Sequence, residues 1–138
     1  MFIEPLPAEF AQAAVDLWRH CGLTRPWNDP EQDLRRALDG ASSTVLAALD
    51  DGDLIGTSMV GEDGHRGWVY YLAVRPDAQG RGVGRALMEA GESWLRARGV
   101  VKLNLMVRTT NPAVLGFYQA LGYVDDEVLV LSKRLDGA

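Results

Sequence analysis

Residues Trp68 to Arg98, WVYYLAVRPDAQGRGVGRALMEAGESWLRAR, place an apolar strand, a break, a glycine-rich loop and an amphipathic helix in direct succession. Trp68 to Val74 is rich in aromatic and β-branched residues, and Pro76 with Asp77 breaks it. The loop follows as Gln79, Gly80, Arg81, Gly82, Val83 and Gly84. From Arg85 to Arg98 the residues Leu87, Ala90, Gly91, Trp94 and Leu95 recur at helical spacing, and Gly99 stops the helix. Val101 to Val107 then reads as a strand that lies parallel to the first, because a helix crossover joins them.

Glycines allow sharp turns and close approach of a ligand to the backbone, and a helix start adds unpaired amides at the positive end of its dipole. Such a loop suits phosphate. A Walker loop requires Lys and then Ser or Thr after its last glycine, whereas Gly84 is followed by Arg85 and Ala86. A dinucleotide fingerprint requires a glycine where this chain has Arg85. It also requires an acidic residue at the end of the next strand, where Met106, Val107 and Arg108 stand.

Upstream, Phe10, Ala13, Ala14, Leu17, Trp18 and Cys21 mark one face of a helix over residues 8–21, closed by Gly22. After the turn Thr24 to Asn28, Asp29 and Pro30 form a helix start, a capping carboxylate followed by proline at the first position. That helix runs to about Leu38. Thr44 to Leu49 and Leu54 to Val60 are strands of a hairpin around the turn formers Asp50, Asp51, Gly52 and Asp53, and Trp68 to Val74 extends the meander. Downstream, Asn111 and Pro112 start a helix through Leu121, stopped by Gly122, and Val128 to Leu135 reads as a final strand.

With 138 residues, 47% hydrophobic and 24% charged, the chain has the composition of one globular domain spanning 1–138. A net charge of -5 argues against nucleic-acid partners, which need clustered Lys and Arg in excess. The single cysteine, Cys21, excludes an internal disulfide and a cysteine metal cluster. Cys21 reads as structural, and His20 and His65 lack the carboxylate spacing of a metal site, so no metal is expected. Neither a secretory signal nor a membrane span is visible, and the expected location is the cytoplasm.

The run Tyr70 to Gly84 closely resembles the GNAT superfamily of N-acetyltransferases, whose pattern is Gln or Arg, two residues, Gly, one residue, then Gly or Ala. Asn111, then Gly116, Phe117 and Tyr118, then Leu121, Gly122 and Tyr123 resemble its second hallmark, and the element order agrees over nearly the whole chain. The segments 22–30 and 103–108 are similar to the small bacterial YpeA-type branch.

The resemblance implies an α+β fold in α/β/α layers: a mixed central sheet with an antiparallel meander, one parallel βαβ crossover and helices on both faces. It implies acetyl-coenzyme A as co-substrate, with Gln79, Gly80, Arg81, Gly82, Val83, Gly84 and Arg85 around the pyrophosphate. Backbone groups of Leu72, Ala73 and Val74 would pair with the pantetheine arm, and Asn111 would bind the same cofactor or simply cap its helix. Tyr118 would protonate the departing thiolate, while an amide near Leu72 steadies the oxyanion as an amine attacks.

Two departures accompany the resemblance. Trp68 stands at the position aligned with the family's usual glutamate base, leaving Glu62, Asp126, Glu127, a water chain, or no base at all for an amine of low pKa as alternatives. The span Tyr123 to Glu127 is short, so that end of the cleft is open or completed by a second chain; monomer and homodimer are both compatible. Trp27, Trp68 and Tyr70 are candidates to line an acceptor cleft whose acidic residues attract a cation. The expected acceptor is a small-molecule amine. A protein N-terminus or lysine, or an idle acyl-coenzyme A-binding regulatory role, are the alternatives.

Overall fold

The computed structural model describes residues 1–137. Contacts divide the chain into two compact units, Met1–Leu105 and a second that begins at Met106.

The first unit is built on a five-stranded sheet in sequential order: β1 (Phe2–Pro5), β2 (Ser43–Asp50), β3 (Asp53–Glu62), β4 (Gly67–Val74) and β5 (Leu103–Asn104). The first four strands pair antiparallel, and β5 joins β4 in parallel. The expected meander and crossover are therefore present. The edge strand β1 was not foreseen; a four-residue strand containing Pro5 carries little alternation and is tolerated only at an edge.

Helices α1 (Ala11–His20) and α2 (Pro30–Asp39) cover one face, and α3 (Val83–Ala97) covers the other. On the first face Ala14, Val15, Leu17 and Trp18 of α1 pack with Leu34 and Ala37 of α2 against Val45, Ala47, Leu49 and Ala73. The expected stripe needs two corrections, because Ala13 is exposed and Val15 is buried. A 3-10 turn over Ala8–Phe10 precedes α1 and shifts the angular register from that of a helix begun at residue 8.

Asp29 caps α2 as expected, its carboxylate accepting from the Gln32 amide at 3.1 Å ahead of Pro30. On the opposite face, a side chain at Gly56 would meet Leu87 Cδ1 at 2.9 Å and the Ala73 carbonyl at 3.0 Å. Glycine there lets α3 approach the sheet closely. The buried face of α3 includes Val83, Gly84 and Met88 as well as Leu87, Gly91 and Leu95, while Trp94 is partly exposed with the Arg98 guanidinium 4.3 Å over its ring.

The second unit contains α4 (Pro112–Ala120). The strand expected over residues 128–135 is not formed, and Val128, Leu129, Val130, Leu131 and Leu135 are exposed. An apolar β-branched run shows only that a segment would suit a pleated surface; a strand also requires a ladder partner, and these residues have none. Likewise only Leu103–Asn104 of the expected 101–107 strand pairs with a neighbour. Among the described residues no helix is long and apolar enough to cross a membrane.

Candidate active site

The distinctive feature of β4 is where its pairing stops. Its parallel register with β5 consists of Gly67↔Leu103 and Trp68↔Asn104, yet β4 continues to Val74. Beyond Trp68 the outer edge of β4 therefore has no strand beside it among the described residues, and this edge includes Leu72, Ala73 and Val74. Backbone groups on such an edge are ready to pair with an extended ligand.

Across β3 the ladder is irregular at the same place. Thr57 pairs with Ala73 and Met59 with Tyr70, so Tyr71 and Leu72 together oppose the single residue Ser58. This is a β-bulge, and Tyr71 occupies the left-handed region at φ 51°. A bulky residue holds that conformation at a cost of about 1–3 kcal/mol, which the surrounding contacts must offset.

Those contacts are specific. Thr57, fully buried, donates its hydroxyl to the Tyr71 carbonyl at 3.0 Å and accepts from Trp18 Nε1 at 2.8 Å. The Trp18 and Tyr71 rings stack with centroids 4.0 Å apart, and the Tyr71 hydroxyl donates to Asp33 Oδ2 at 2.8 Å. Burial first, then the bond to Asp33 and its charge, push the Tyr71 hydroxyl well above the usual tyrosine range. Sequence reasoning treated Trp18 as core and passed over Thr57 and Asp33. The one signal for Thr57 was the polar pair Thr57 and Ser58 inside the otherwise apolar stretch Leu54 to Val60.

From the end of β4 the chain enters the glycine loop. Gln79 Nε2 donates to the Val74 carbonyl at 3.4 Å, and Gly80 and Gly82 adopt φ 78° and 79°. Gly82 is the N-cap of α3, and its carbonyl takes the first helical bond, from the Ala86 amide at 3.0 Å. Amides of the first turn before Ala86 have no intrahelical acceptor and mark the positive end of the helix dipole.

The side chains of this loop point to other tasks. Val83 is buried in the core. Arg85 pairs loosely with Glu89 at 3.8 Å, and Arg81 reaches Asp50 at 2.7 Å, which holds the Asp50 carboxyl below its ordinary range.

Trp68 and Tyr70 alternate with Gly67 and Val69, which are buried, and Gly67 faces Leu95 of α3. Their rings therefore lie on the face opposite α3, parallel within 11° at 6.5 Å, with Tyr70 44% exposed. Trp68 Nε1 donates to Asp63 Oδ2 at 3.2 Å. The Arg66 and His65 amides, followed by Trp68, hold the Asp63 carboxyl below its usual range. Of the alternative bases, Glu62 accepts from the Gly64 amide at 2.8 Å, and Glu127 stands at φ 55° with its amide donating to Asp125. Trp27 is exposed in the turn before α2.

Cys21 lies beside the end of β4, its Sγ 3.7 Å from the Val74 carbonyl, and burial raises its thiol. A raised thiol is a poor nucleophile, in keeping with a structural role. Among the described residues no three His, Cys, Asp or Glu side chains gather as metal ligands.

In the second unit, Asn111 Oδ1 accepts from the Val114 amide at 3.3 Å and so caps α4. Tyr118 is 8% exposed, its ring edge-on to Phe117 and Tyr123. Burial pushes its hydroxyl up to about 12, so it stays protonated throughout the neutral range.

The profile of the Acetyltransferase (GNAT) family matches residues 11–123. An acetyltransferase of Yersinia pestis (strain Pestoides F) is 50% identical over 124 residues, which cover 90% of this chain and 88% of that one. An acetyltransferase of Pectobacterium atrosepticum is 47% identical over the same shares. Among solved structures, the aminoglycoside acetyltransferase AAC(6')-Iy in complex with a coenzyme A–acetylneamine bisubstrate analog superimposes with a TM-score of 0.84 at 18% identity, covering 96% of this chain and 97% of that one. An aminoglycoside acetyltransferase from an uncultured soil metagenomic sample, in complex with sisomicin, gives 0.81 at 17% identity, covering 97% and 95%. At these identities the structural likeness establishes the fold.

Proposed function

The chain belongs to the Acetyltransferase (GNAT) family and is an N-acetyltransferase, and on that premise we propose that it transfers an acetyl group from acetyl-coenzyme A directly to the primary amine of a small molecule. The observation that carries this reading is the open edge of β4 beyond Trp68, which runs straight into the glycine loop and the start of α3. An acyl-pantetheine arm laid along Leu72, Ala73 and Val74 would end at a pyrophosphate cradled by the amides of residues 79–85.

In this reading the neutral amine attacks the thioester carbonyl, and the bond to sulfur breaks as the amide forms. The Leu72 amide meets the developing oxyanion. Tyr118, protonated at neutral pH, gives its proton to the departing thiolate, and the proton released by the amine returns through solvent to restore the Tyr118 hydroxyl. Asn111 keeps its capping bond and offers its remaining polar atoms to the cofactor.

The parallel rings of Trp68 and Tyr70 beside the ionised Asp63 favour a cationic acceptor over an extended peptide. The aminoglycosides handled by the structural neighbours belong to that chemical class. Turnover on a panel of polyamines, aminoglycosides and peptides tests this assignment. Acetylation of free cationic amines supports it, and turnover confined to peptides sharing a first residue overturns the small-molecule part.

A further inference from the structure

The bulge in β4 is gripped at two points by residues of three other elements. Thr57 holds the Tyr71 carbonyl, and Trp18 holds Thr57. Asp33 holds the far end of the Tyr71 side chain, and the Trp18 ring stacks on its face. These partners come from α1, α2 and β3, three separate elements converging on one left-handed residue.

The Tyr71 carbonyl and the Leu72 N–H belong to the same planar peptide, and no peptide bond among the described residues is cis. In a trans peptide these two groups point in opposite directions. A hydroxyl that fixes the carbonyl therefore fixes the direction of the amide. Ladder bonds alone do not settle that direction at a bulge, where two residues face one.

We infer that Trp18, Thr57 and Asp33 are positioning residues for acetyl transfer, clamping Tyr71 so that the Leu72 amide points at the thioester carbonyl. This rests on the proposed placement of acetyl-coenzyme A along β4. None of the three needs to touch the substrate. Preorganised donors stabilise a developing oxyanion because they do not have to reorient during the reaction, and losing one such donor costs about 10²- to 10³-fold in turnover. Loosening its aim costs part of that.

The test uses acetyl-coenzyme A labelled with ¹³C at the thioester carbonyl, whose stretching frequency falls when the oxygen accepts a hydrogen bond. The wild-type protein should bind the labelled compound and lower that frequency. Thr57→Val matches threonine in size and removes the hydroxyl. It should bind acetyl-coenzyme A within about threefold of wild type, lose most of the frequency shift and turn over about 10- to 100-fold more slowly. Tyr71→Phe and Asp33→Ala, both at half-buried positions, should lose a similar and non-additive share. Asp33→Asn, which keeps an acceptor for the Tyr71 hydroxyl, should recover most of what Asp33→Ala loses.

Full frequency shift and full turnover in Thr57→Val, or in Tyr71→Phe if Thr57→Val does not fold, would overturn the inference. Wild-type protein that binds without shifting the carbonyl would also overturn it while leaving the coenzyme reading intact. Absence of binding would remove both.

Discussion

Arg81 and Asp50 join the glycine loop to the β2–β3 turn through an ion pair of 2.7 Å, with the amino terminus of Met1 3.5 Å from the other carboxylate oxygen. A guanidinium of the glycine loop is thus engaged by a carboxylate. Asp50→Asn should release Arg81 and remove a negative charge near the loop. Coenzyme A should then bind about two- to fivefold tighter at low salt, the gain fading near 1 M salt as screening shortens the reach of the charge. Unchanged affinity at both salt concentrations would show that Arg81 and Asp50 lie outside the field felt by the ligand. The depressed Asp50 carboxyl keeps this pair intact at neutral pH, and it is lost only as acid protonates Asp50.

Gly82 combines φ 79° with open space around a hypothetical side chain, so substitution there strains the backbone without a packing clash. Gly82→Ala should lower stability by about 1 kcal/mol. Gly82→Glu should fold but weaken coenzyme A binding by at least about tenfold, since it sets like charge against phosphate at the helix start. Calorimetric titration of both variants separates the strain effect from the charge effect.

Tyr118→Phe should reduce turnover by about 10²- to 10⁴-fold with little change in coenzyme affinity, as expected for loss of a proton donor. The same hydroxyl makes a second, pH-dependent forecast. Its folded-state value is raised to about 12 from an unfolded value of about 10. The folded form therefore retains the proton longer, and this contribution to stability is complete below about pH 10 and lost as the pH rises towards 12. Thermal melts of wild type and Tyr118→Phe between pH 8 and pH 11 should diverge only at the alkaline end.

Ser58 carries a fully buried hydroxyl with no hydrogen-bond partner, directly opposite the β4 bulge. Ser58→Ala should raise stability by about 1 kcal/mol, because it removes an unpaired polar group from the interior. Denaturant unfolding measures this, and a less stable variant would show that the hydroxyl is satisfied in solution.

The sequence made the βαβ unit and the glycine loop legible because their signals are local. Strand, breaker, alternating glycines and amphipathic helix follow one another without a gap, and the hairpin turn at Asp50–Asp53 is equally local. The brace around Tyr71 was not legible. Trp18, Asp33, Thr57 and Tyr71 are far apart along the chain, and each taken alone reads as core, helix surface or strand. The packing of α1 and α2 on the sheet brings them together, and the one-residue shift between β3 and β4 at Tyr71 is announced by no periodicity. The run 128–135 misled for the opposite reason, since its β-branched composition advertises a strand that lacks a ladder partner.

The most direct test of the central claim is calorimetric titration of the purified protein with acetyl-coenzyme A, with NADH and ATP as controls. Selective binding of acetyl-coenzyme A at micromolar concentrations is the result expected from the open β4 edge and the glycine loop together. A folded protein that binds none of the three, or binds NADH or ATP as tightly, would contradict it.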